Sequence, residues 1–344
     1  MIRYLCTATL LTTVFCQQFP PDIKDDIFNI ISNTSVILKE CSGTVVSPSE
    51  LTFTLFNQEN PENGIVLDHT NLQQVKPENR LILIIHGWLQ SASQSWIIQM
   101  KDVYLNQTAA NIIVVDWSRS AGINYASSVC AVPQVGSYVA DLIFNITSDN
   151  AAQLNNTQIN GFSLGAHVAG IAGQDIQTKT NGHKIGRING LEAAGPGFVG
   201  RPANKRLDKK DAWFVQAIHT NNWQFGYGLS YATVDFQVNK LLLNCGAFQR
   251  GCPFFSGVPK SISNDILEGL LPHIFCNHIR AAVYFIESIN SGNFIGVSCK
   301  SCFRFGLGLC KSSPTAVMGE NCPSDVSGDY YLSTNARTPL ARGD

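Results

Sequence analysis

One stretch of the chain places a serine between glycines in a pattern that supports nucleophilic chemistry. Residues 159–167 read Ile-Asn-Gly-Phe-Ser-Leu-Gly-Ala-His, with Gly161 and Gly165 each two positions from Ser163. An apolar run precedes this motif and a helix-forming run follows it, which is the arrangement of a nucleophile elbow. Amides at the start of such a helix stabilise developing negative charge. The motif is short and also arises by chance, so its interpretation depends on partners for Ser163 elsewhere in the chain.

A serine nucleophile needs a general base, and histidines that follow Ser163 are the candidates. We expect a structural position for His167, in the helix behind the elbow, and a solvated one for His183, in a polar turn. His219 ends a predicted strand and remains open as the base. His278 follows Cys276 by two residues, where a disulfide would hold it, and is the leading candidate. His273 lies in the loop before Cys276.

The base needs a carboxylate to orient it, and the sequence offers Glu192. This residue directly follows the predicted strand that ends at Leu191, the first strand after the elbow. No aspartate ends the next strand, where Asn221 and Asn222 follow His219-Thr220. In folds with a nucleophile elbow, the acid and the base follow the serine in that order. Glu192 is therefore the predicted acid.

The oxyanion of an acyl-transfer intermediate needs backbone donors beside the serine. The apolar run Leu81–Ile85 ends in His86-Gly87-Trp88, and its unbroken apolar character predicts a central strand next to the elbow. The amides of Trp88 and Leu164 are the predicted donors.

The elements that position these residues alternate between strands and helices. This order predicts an α/β fold with a mostly parallel central sheet and helices on both faces. A hairpin with its turn at residues 60–64 should lie at one edge of the sheet. Strands are predicted at 51–56, 65–67, 81–85, 111–117, 184–191, 213–219, 232–238 and 329–334. Helices are predicted at 93–108, 135–146 and 278–289, and residues after 293 read as a loop until the last strand at 329–334.

Composition excludes several classes of protein. Of the 344 residues, 44% are hydrophobic and 14% charged, which is typical of a globular chain with a large core. The formal net charge is −1, and no run of Lys and Arg is present. Nucleic acid is therefore not an expected partner.

The first residues predict export. Met1-Ile2-Arg3 and the apolar stretch from Tyr4 to Phe15 resemble a signal peptide, so we expect a leader at 1–16 and one domain at 17–344. Of 11 cysteines, nine remain after the leader, and an oxidising compartment would pair most of them. Sequons at Asn33, Asn106, Asn145 and Asn155 agree with a secreted glycoprotein.

Several motifs together resemble those of the animal pancreatic-lipase family, and within it the single-domain insect lipases and phospholipases A1. The resemblance covers about residues 41–343. In chain order the motifs are His86-Gly87-Trp88, Val115-Asp116-Trp117, Gly161 to Gly170, Gly190-Leu191-Glu192-Ala193-Ala194-Gly195-Pro196, His219-Thr220, Cys276-Asn277-His278-Ile279-Arg280, Met318-Gly319 and Tyr331 to Asn335.

The resemblance implies an α/β-hydrolase fold with a lid at about 252–276 and no C-terminal β-sandwich domain. It implies Ser163 as nucleophile and His278 as base, with the amides of Trp88 and Leu164 as the oxyanion hole; Glu192 stands at the family's acid position. The implied reaction is hydrolysis of lipid acyl esters at a membrane or droplet interface, without a cofactor or an obligate protein partner.

The resemblance also implies disulfide pairs. These are Cys252–Cys276, Cys299–Cys310 and, as in insect members, Cys41–Cys130. It assigns no partner to Cys245, Cys302 or Cys322.

The chain departs from the family at the acid. The family usually has aspartate where this chain has Glu192, and the longer side chain must still reach the imidazole of His278. An inactive homologue that binds or stores lipid is therefore the alternative to an enzyme. A serine peptidase is disfavoured because the apolar lid implies a lipid interface.

Substrate choice stays open at this stage. The 23 residues between Cys252 and Cys276 form a long lid, which goes with triacylglycerol hydrolysis in the family, although residue spacing alone also allows an ordinary packed amphipathic helix. The loop from Asn221 to Val234 is short, which goes with phospholipase A1 activity.

Overall fold

A computed structural model describes most of the chain. It covers residues 41, 43–122, 124–147, 150–241, 244–253 and 264–343, together with the backbone of 4–8 and 14–18. For residues 264–274 only the backbone is described. The predicted leader at 1–16 remains a prediction, and in the structure Tyr4–Ala8 (β1) pairs antiparallel with Val14–Gln18 (β2).

A sheet of eleven strands forms the centre of the described chain. The strands are Thr52–Asn57 (β3), Asn60–Val66 (β4), Arg80–Ile85 (β5), Ala110–Asp116 (β6), Thr157–Phe162 (β7), Arg187–Leu191 (β8), Phe214–His219 (β9), Val234–Val238 (β10), Ile295–Ser298 (β13), Thr315–Val317 (β14) and Gly328–Leu332 (β15). Their order in the sheet is β14-β13-β15-β10-β9-β8-β7-β5-β6-β3-β4, and the pairs from β15 across to β6 are all parallel. The antiparallel strands lie at the two ends. A separate hairpin joins Lys240–Leu241 (β11) to Asn244–Cys245 (β12).

Helices cover both faces of this sheet. They are Ser95–Gln107 (α1), Tyr125–Thr147 (α2), Ala151–Asn155 (α3), Leu164–Lys179 (α4), Asn264–Asn290 (α5) and Cys302–Gly306 (α6). Side chains of α2 and α4 share one core with one face of the sheet, and side chains of α1 and α5 share a second core with the other face. The predicted fold class is confirmed: the central strands are buried on both faces, as their unbroken apolar runs require.

Three predicted boundaries are wrong, two of them for local reasons. The hairpin turn is not at 60–64, because the Asn57 side chain accepts hydrogen bonds from the amides of Glu59 and Asn60 at 3.0 Å and closes the chain there. Pro61 therefore lies in an edge strand, where a missing donor is tolerated. Helix α2 begins ten residues before the predicted start, because Asn124 Oδ1 accepts from the Ser127 amide and caps it.

The third boundary concerns the helix that carries His278. It begins at Asn264 and continues through Pro272, instead of starting at His278. In addition, the region after residue 293 is not all loop, since β13, α6 and β14 lie there.

Four disulfides cross-link the described residues. Three match the pairs that the resemblance implies: Cys41–Cys130, Cys252–Cys276 and Cys299–Cys310. The fourth joins Cys245 to Cys302 and so ties the β11–β12 hairpin to α6. Cys322 is buried and unpaired.

Helix α2 is long and apolar enough by composition to cross a membrane, and it is the one described helix of this kind. It instead lies in the core, where Val129, Val135 and Val139 are fully buried against the sheet and α4. Its apolar character is explained by burial inside the fold.

A buried polar network lies at the amino ends of β5 and β7, whereas the elbow follows the carboxyl end of β7. Glu320 Oε1 pairs with Arg80 Nη1 at 2.5 Å, and Glu320 Oε2 accepts from the Tyr104 hydroxyl at 2.6 Å and from Gln158 Nε2 at 2.9 Å. The Glu320 side chain is only 10% exposed, so these partners replace water around its charge.

We predict that Glu320→Ala destabilises the protein by about 2–4 kcal/mol, because it leaves Arg80 without its buried partner. Urea unfolding followed by circular dichroism measures this change. The surface substitution Glu59→Gln, which breaks an exposed ion pair with Lys76, should change the free energy of unfolding by less than about 0.5 kcal/mol. Equal effects of the two variants would contradict the prediction.

Candidate active site

Ser163 lies at a strained turn between β7 and α4. Its φ is 56° and its ψ is −119°, a left-handed conformation that serine rarely adopts. Such strain costs of order 1–3 kcal/mol and is characteristic of functional turns. The Ser163 side chain is 7% exposed and sits at the N-terminus of the 16-residue helix α4. The geometry is that of the predicted nucleophile elbow.

The end of β5 lies directly against this elbow. A Cβ atom on Gly165 would come within 2.4 Å of the Ile85 carbonyl oxygen, and one on Gly87 would come within 2.8 Å of the Ser163 Cβ. Glycine is therefore required for the close approach of the two segments.

The predicted oxyanion donors lie on the two segments that meet here. Within the described part of the chain, neither the amide of Trp88 nor that of Leu164 donates a hydrogen bond. The Trp88 ring packs edge-on against Tyr125 at 5.1 Å, which holds the backbone after Gly87 in place. Both amides are thus available to an oxygen next to Ser163.

His278 projects from α5 into an aromatic pocket beside the elbow. Its ring centroid is 4.8 Å from that of Phe162 and 5.6 Å from that of Phe225. Burial lowers the pKa of His278 to about 3, so its imidazole is neutral and able to accept a proton. Its Nδ1 atom is buried without a hydrogen-bond partner in the part of the chain that the structure describes. No hydrogen bond among the described residues joins His278 to the Ser163 hydroxyl.

Glu192 directly follows β8 and is fully buried, with a φ of 55°. One carboxylate oxygen, Oε2, accepts three hydrogen bonds: from the Thr220 amide, from the Thr220 hydroxyl at 2.8 Å and from the Asn221 amide at 2.7 Å. Burial raises the pKa of Glu192 from its ordinary 4.5 to about 7, although the charge of His219 and these hydrogen bonds lower it in part.

Gly226 provides the room that the longer acid needs. A Cβ atom at Gly226 would overlap Glu192 Oε1, only 1.6 Å away. Phe225, the preceding residue, contacts the His278 ring. The second carboxylate oxygen therefore lies beside the loop that also lines the histidine pocket.

The structure brings the acid and the base into one neighbourhood without a hydrogen bond between them. The Thr220 hydroxyl is 2.8 Å from Glu192 Oε2 and 3.4 Å from the His278 carbonyl oxygen, so it contacts both residues. Glu192 Oε1 and His278 Nδ1 are both buried without a partner among the described residues. These two atoms are complementary, since a carboxylate oxygen accepts and an imidazole N–H donates.

A buried ion pair lies beside the acid. His219 Nε2 is 2.8 Å from Asp235 Oδ1, and His219 Nδ1 is 3.0 Å from Asn222 Oδ1. The Asn222 amide group points its Nδ2 toward Gln237 Oε1 at 2.6 Å, so its oxygen faces the histidine. Because both ring nitrogens meet acceptors, the protonated form of His219 is favoured.

The pKa of His219 agrees with this assignment. Burial lowers it, but the hydrogen bond and the charge of Asp235 outweigh burial and raise the pKa above its ordinary 6.5. His219 was open as the base in the sequence, and its two occupied nitrogens exclude that role. Its positive charge instead favours the ionised form of Glu192.

Two further histidines have structural positions. His167 Nε2 donates to the Ala194 carbonyl at 2.8 Å, and its Nδ1 accepts from the Leu207 amide at 3.1 Å. Burial lowers its pKa to about 3, so the ring is neutral, as the predicted structural role requires. His86 Nε2 accepts from the Trp117 amide at 3.1 Å, which fixes the strand end before Gly87.

The sequence did not indicate the residues that hold the acid. Thr220 and Asn221 follow β9 and donate to Glu192 only because β8 and β9 are neighbours in register. The pair His219–Asp235 spans sixteen residues and has no local signature. The predicted lid at 252–276 is described only in part: residues 254–263, and the His273 side chain, lie outside the described residues.

The amino-acid sequence matches the model of a known protein family. The model described as Lipase matches residues 32–340. The chain belongs to this lipase family.

Curated lipases from vertebrates are similar over most of this chain. The identity is 32% with pancreatic triacylglycerol lipase of Mus musculus, over 86% of this chain and 66% of that protein. It is 37% with hepatic triacylglycerol lipase of Oryctolagus cuniculus, over 76% and 54%, and 34% with lipase member H of Danio rerio, over 74% and 53%. The chain spans about half to two thirds of the length of these relatives.

Solved structures of α/β-hydrolases are more distant. Mouse alpha/beta hydrolase domain-containing protein 10 is 18% identical, with a TM-score of 0.26 over 45% of this chain and 50% of that one. The assignment of an α/β-hydrolase fold to this lipase-family chain rests on its own sheet order and on the family match.

We predict that Gly165→Ala lowers the free energy of unfolding by about 3 kcal/mol, because the new methyl group meets two backbone carbonyl oxygens, those of Ile85 and His86. Urea unfolding tests this. Gly292→Ala is the matched control, since a Cβ there has no atom within 4 Å, and it should change stability by less than about 0.5 kcal/mol. A Gly165→Ala protein as stable as the control would refute the close approach.

We also predict that Glu192→Gln gains stability over the wild type as pH rises from 4.5 to about 7. In this window the unfolded wild type ionises while the folded carboxyl resists ionisation, so the wild type loses stability and the neutral variant does not. The gain should reach about 3 kcal/mol at most. Urea unfolding at several pH values measures it, with exposed Glu59→Gln as control. A pH-independent difference would show that burial does not disfavour the ionised carboxylate.

Proposed function

We propose that this chain is a secreted serine hydrolase that cleaves acyl esters of lipids. Ser163 is the nucleophile, His278 the general base and Glu192 the acid that orients it. The amides of Trp88 and Leu164 form the oxyanion hole. The observation that carries the proposal is the strained Ser163 at a helix N-terminus, with the buried, neutral His278 packed on the adjoining Phe162 ring.

The reaction takes two acyl-transfer steps. His278 Nε2 removes the Ser163 proton as the hydroxyl attacks the ester carbonyl, and the oxyanion accepts from the two free amides. The protonated imidazole then donates to the leaving alcohol, and an acyl-enzyme remains. A water molecule, deprotonated by His278, releases the fatty acid and restores Ser163.

The proposed role of Glu192 follows from two buried atoms that lack a hydrogen-bond partner among the described residues, Glu192 Oε1 and His278 Nδ1. Ionised Glu192 would accept the Nδ1–H of His278 through Oε1 while Oε2 keeps its three donors. That bond would raise the basicity of an imidazole that burial alone leaves weak. The imidazolium of His219 supports the ionised carboxylate. The proposed enzyme is therefore more active above a pH of about 7 than below it.

The substrate class that we favour is triacylglycerol. Two of the relatives above carry that activity in their names, and both cover three quarters or more of this chain. Phospholipase A1 activity is the second candidate because of the short loop between β9 and β10. Phe162, Phe225 and Phe275 present apolar rings that suit a fatty-acyl chain bound next to Ser163.

The disulfides and the exposed glycosylation sequons agree with the proposed secretion of this chain. Four disulfides join described residues, as expected in an oxidising compartment. The sequon residues Asn106, Asn145 and Asn155 are exposed, so each is open to glycosylation. Asn33 lies outside the described residues.

The alternative is a homologue that binds lipid without cleaving it. The missing hydrogen bond between Glu192 and His278 and the raised pKa of Glu192 favour this alternative. The intact serine, histidine and free amides favour an enzyme. Both proposals share the same apolar pocket, so only turnover separates them.

We predict that the secreted protein hydrolyses triacylglycerol emulsions and that Ser163→Ala lowers the rate by at least about a thousandfold, because no other group forms the acyl-enzyme. Fatty-acid release, measured on triacylglycerol and on phosphatidylcholine, gives both activity and preference. Equal background rates of wild type and variant on both substrates would leave the lipid-binding alternative.

Variants of the acid complete this assay. Glu192→Gln should lower the rate by about a hundredfold or more, since an amide does not stabilise the imidazolium. Higher activity of Glu192→Asp would show that the longer side chain is poorly placed. Full activity of Glu192→Gln would place the acid elsewhere.

A further inference from the structure

A short segment outside the candidate site exposes a group of large apolar side chains. We call residues 299–311 the disulfide tip; it comprises α6 and the turns around it. Phe303, Leu307 and Leu309 are 55%, 59% and 55% exposed. Of the other exposed large apolar side chains of the described residues, Trp223 and Leu229 share the loop between β9 and β10, and the rest lie on other segments. A local cluster of exposed large apolar side chains is typical of an interaction surface, whereas single exposed apolar side chains are normal on any protein.

The disulfide tip is held rigidly. Cys299–Cys310 closes it, and Cys302–Cys245 ties it to the β11–β12 hairpin. Its Phe305 ring stacks on Tyr331 of β15 at 5.5 Å, so one aromatic side chain faces the protein while its neighbours face outward. Because the backbone is already ordered, these outward side chains would bind a surface with little further loss of entropy.

The charges of the disulfide tip all have one sign. Lys300, Arg304 and Lys311 are exposed, and none forms an ion pair with another described residue. No Asp or Glu occurs between residues 295 and 319, whereas the whole chain has a net charge of −1. A surface that combines exposed apolar side chains with basic ones is complementary to a lipid layer with anionic headgroups.

The disulfide tip is also connected to the carboxyl edge of the sheet, where the candidate active site lies. Cys245, its disulfide partner, accepts a hydrogen bond from Asn222 Nδ2 at 3.2 Å through its carbonyl. Lys240 Nζ donates to the Gly306 carbonyl at 2.9 Å. Lys240 begins the hairpin that follows β10, so both contacts join the tip to the edge at which Ser163 lies.

We propose that the disulfide tip is an interfacial anchor that binds anionic phospholipid surfaces. Phe303, Leu307 and Leu309 insert among the lipid chains, and Lys300, Arg304 and Lys311 contact the headgroups. The proposal deepens the lipid-hydrolase function and rests on it for its physiological role. Its test measures binding and not turnover, so failure of one is distinguishable from failure of the other.

The test uses the full chain with Ser163→Ala, which prevents hydrolysis. Sedimentation with sucrose-loaded vesicles gives the partition coefficient for phosphatidylcholine alone and for phosphatidylcholine mixed with phosphatidylglycerol. We expect tighter binding to the mixed vesicles. The combined Phe303→Ser, Leu307→Ser and Leu309→Ser variant should bind them at least about tenfold more weakly, because exposed apolar area is lost.

Two further variants define the specificity of this effect. Lys300→Gln, Arg304→Gln and Lys311→Gln together should remove the preference for phosphatidylglycerol, a loss of roughly tenfold or more. The matched control combines Val45→Ser, Val66→Ser and Ile98→Ser, three exposed apolar residues outside the disulfide tip, and should bind as tightly as the parent. Circular dichroism confirms that each variant is folded.

A single tryptophan substitution tests the proposal if the combined Phe303, Leu307 and Leu309 variant does not fold. Leu309→Trp should show additional fluorescence quenching by vesicles that contain brominated lipid, whereas Val66→Trp should not. Unchanged binding of the apolar variant, or no additional quenching at residue 309, would overturn the proposal. Binding that depends only on the basic residues and is equal for free polyanions such as heparin would also overturn it.

Discussion

The candidate site depends on how one buried carboxylate is held. A carboxylate without water needs donors and a neighbouring cation, and Glu192 obtains both from the last residue of β9 and the two residues after it. The amides of Thr220 and Asn221 fix one oxygen, and the imidazolium of His219, one residue earlier, favours its charge. The position and the ionisation of the acid are therefore set together by the register of two parallel strands.

Strain and close contact are concentrated around the same edge. Ser163 and Glu192 directly follow neighbouring strands, and both have left-handed backbone conformations. Each costs of order 1–3 kcal/mol, which the two hydrophobic cores on either face of the sheet offset. The absence of side chains at Gly165 and Gly226 is what lets the backbone and the carboxylate occupy this crowded space.

The proposed base, His278, lies on a helix, whereas Ser163 and Glu192 each follow a strand. His278 lies on α5, whose first turns belong to the segment between Cys252 and Cys276. His278 and the last residues of the predicted lid, from Asn264 to Cys276, are thus parts of one helix. The disulfides fix the other surroundings of the site, including the disulfide tip beside the β11–β12 hairpin.

The sequence alone was sufficient for the features that are encoded locally. Unbroken apolar runs predicted the parallel strands, and the glycines around Ser163 predicted the elbow, because each depends on a few adjacent residues. The order of Ser163, Glu192 and His278 followed from which predicted strand or helix each residue ends or begins, although the helix of His278 begins earlier than predicted.

Only the tertiary structure decided the partners of these residues. The pairing of His219 with Asp235, the three donors to Glu192 and the Cys245–Cys302 bond join residues far apart in the chain. They exist because neighbouring strands lie in one register and because burial forces polar groups to find acceptors or donors nearby. The same burial leaves Glu192 Oε1 and His278 Nδ1 without partners, and no local pattern of residues encodes that outcome.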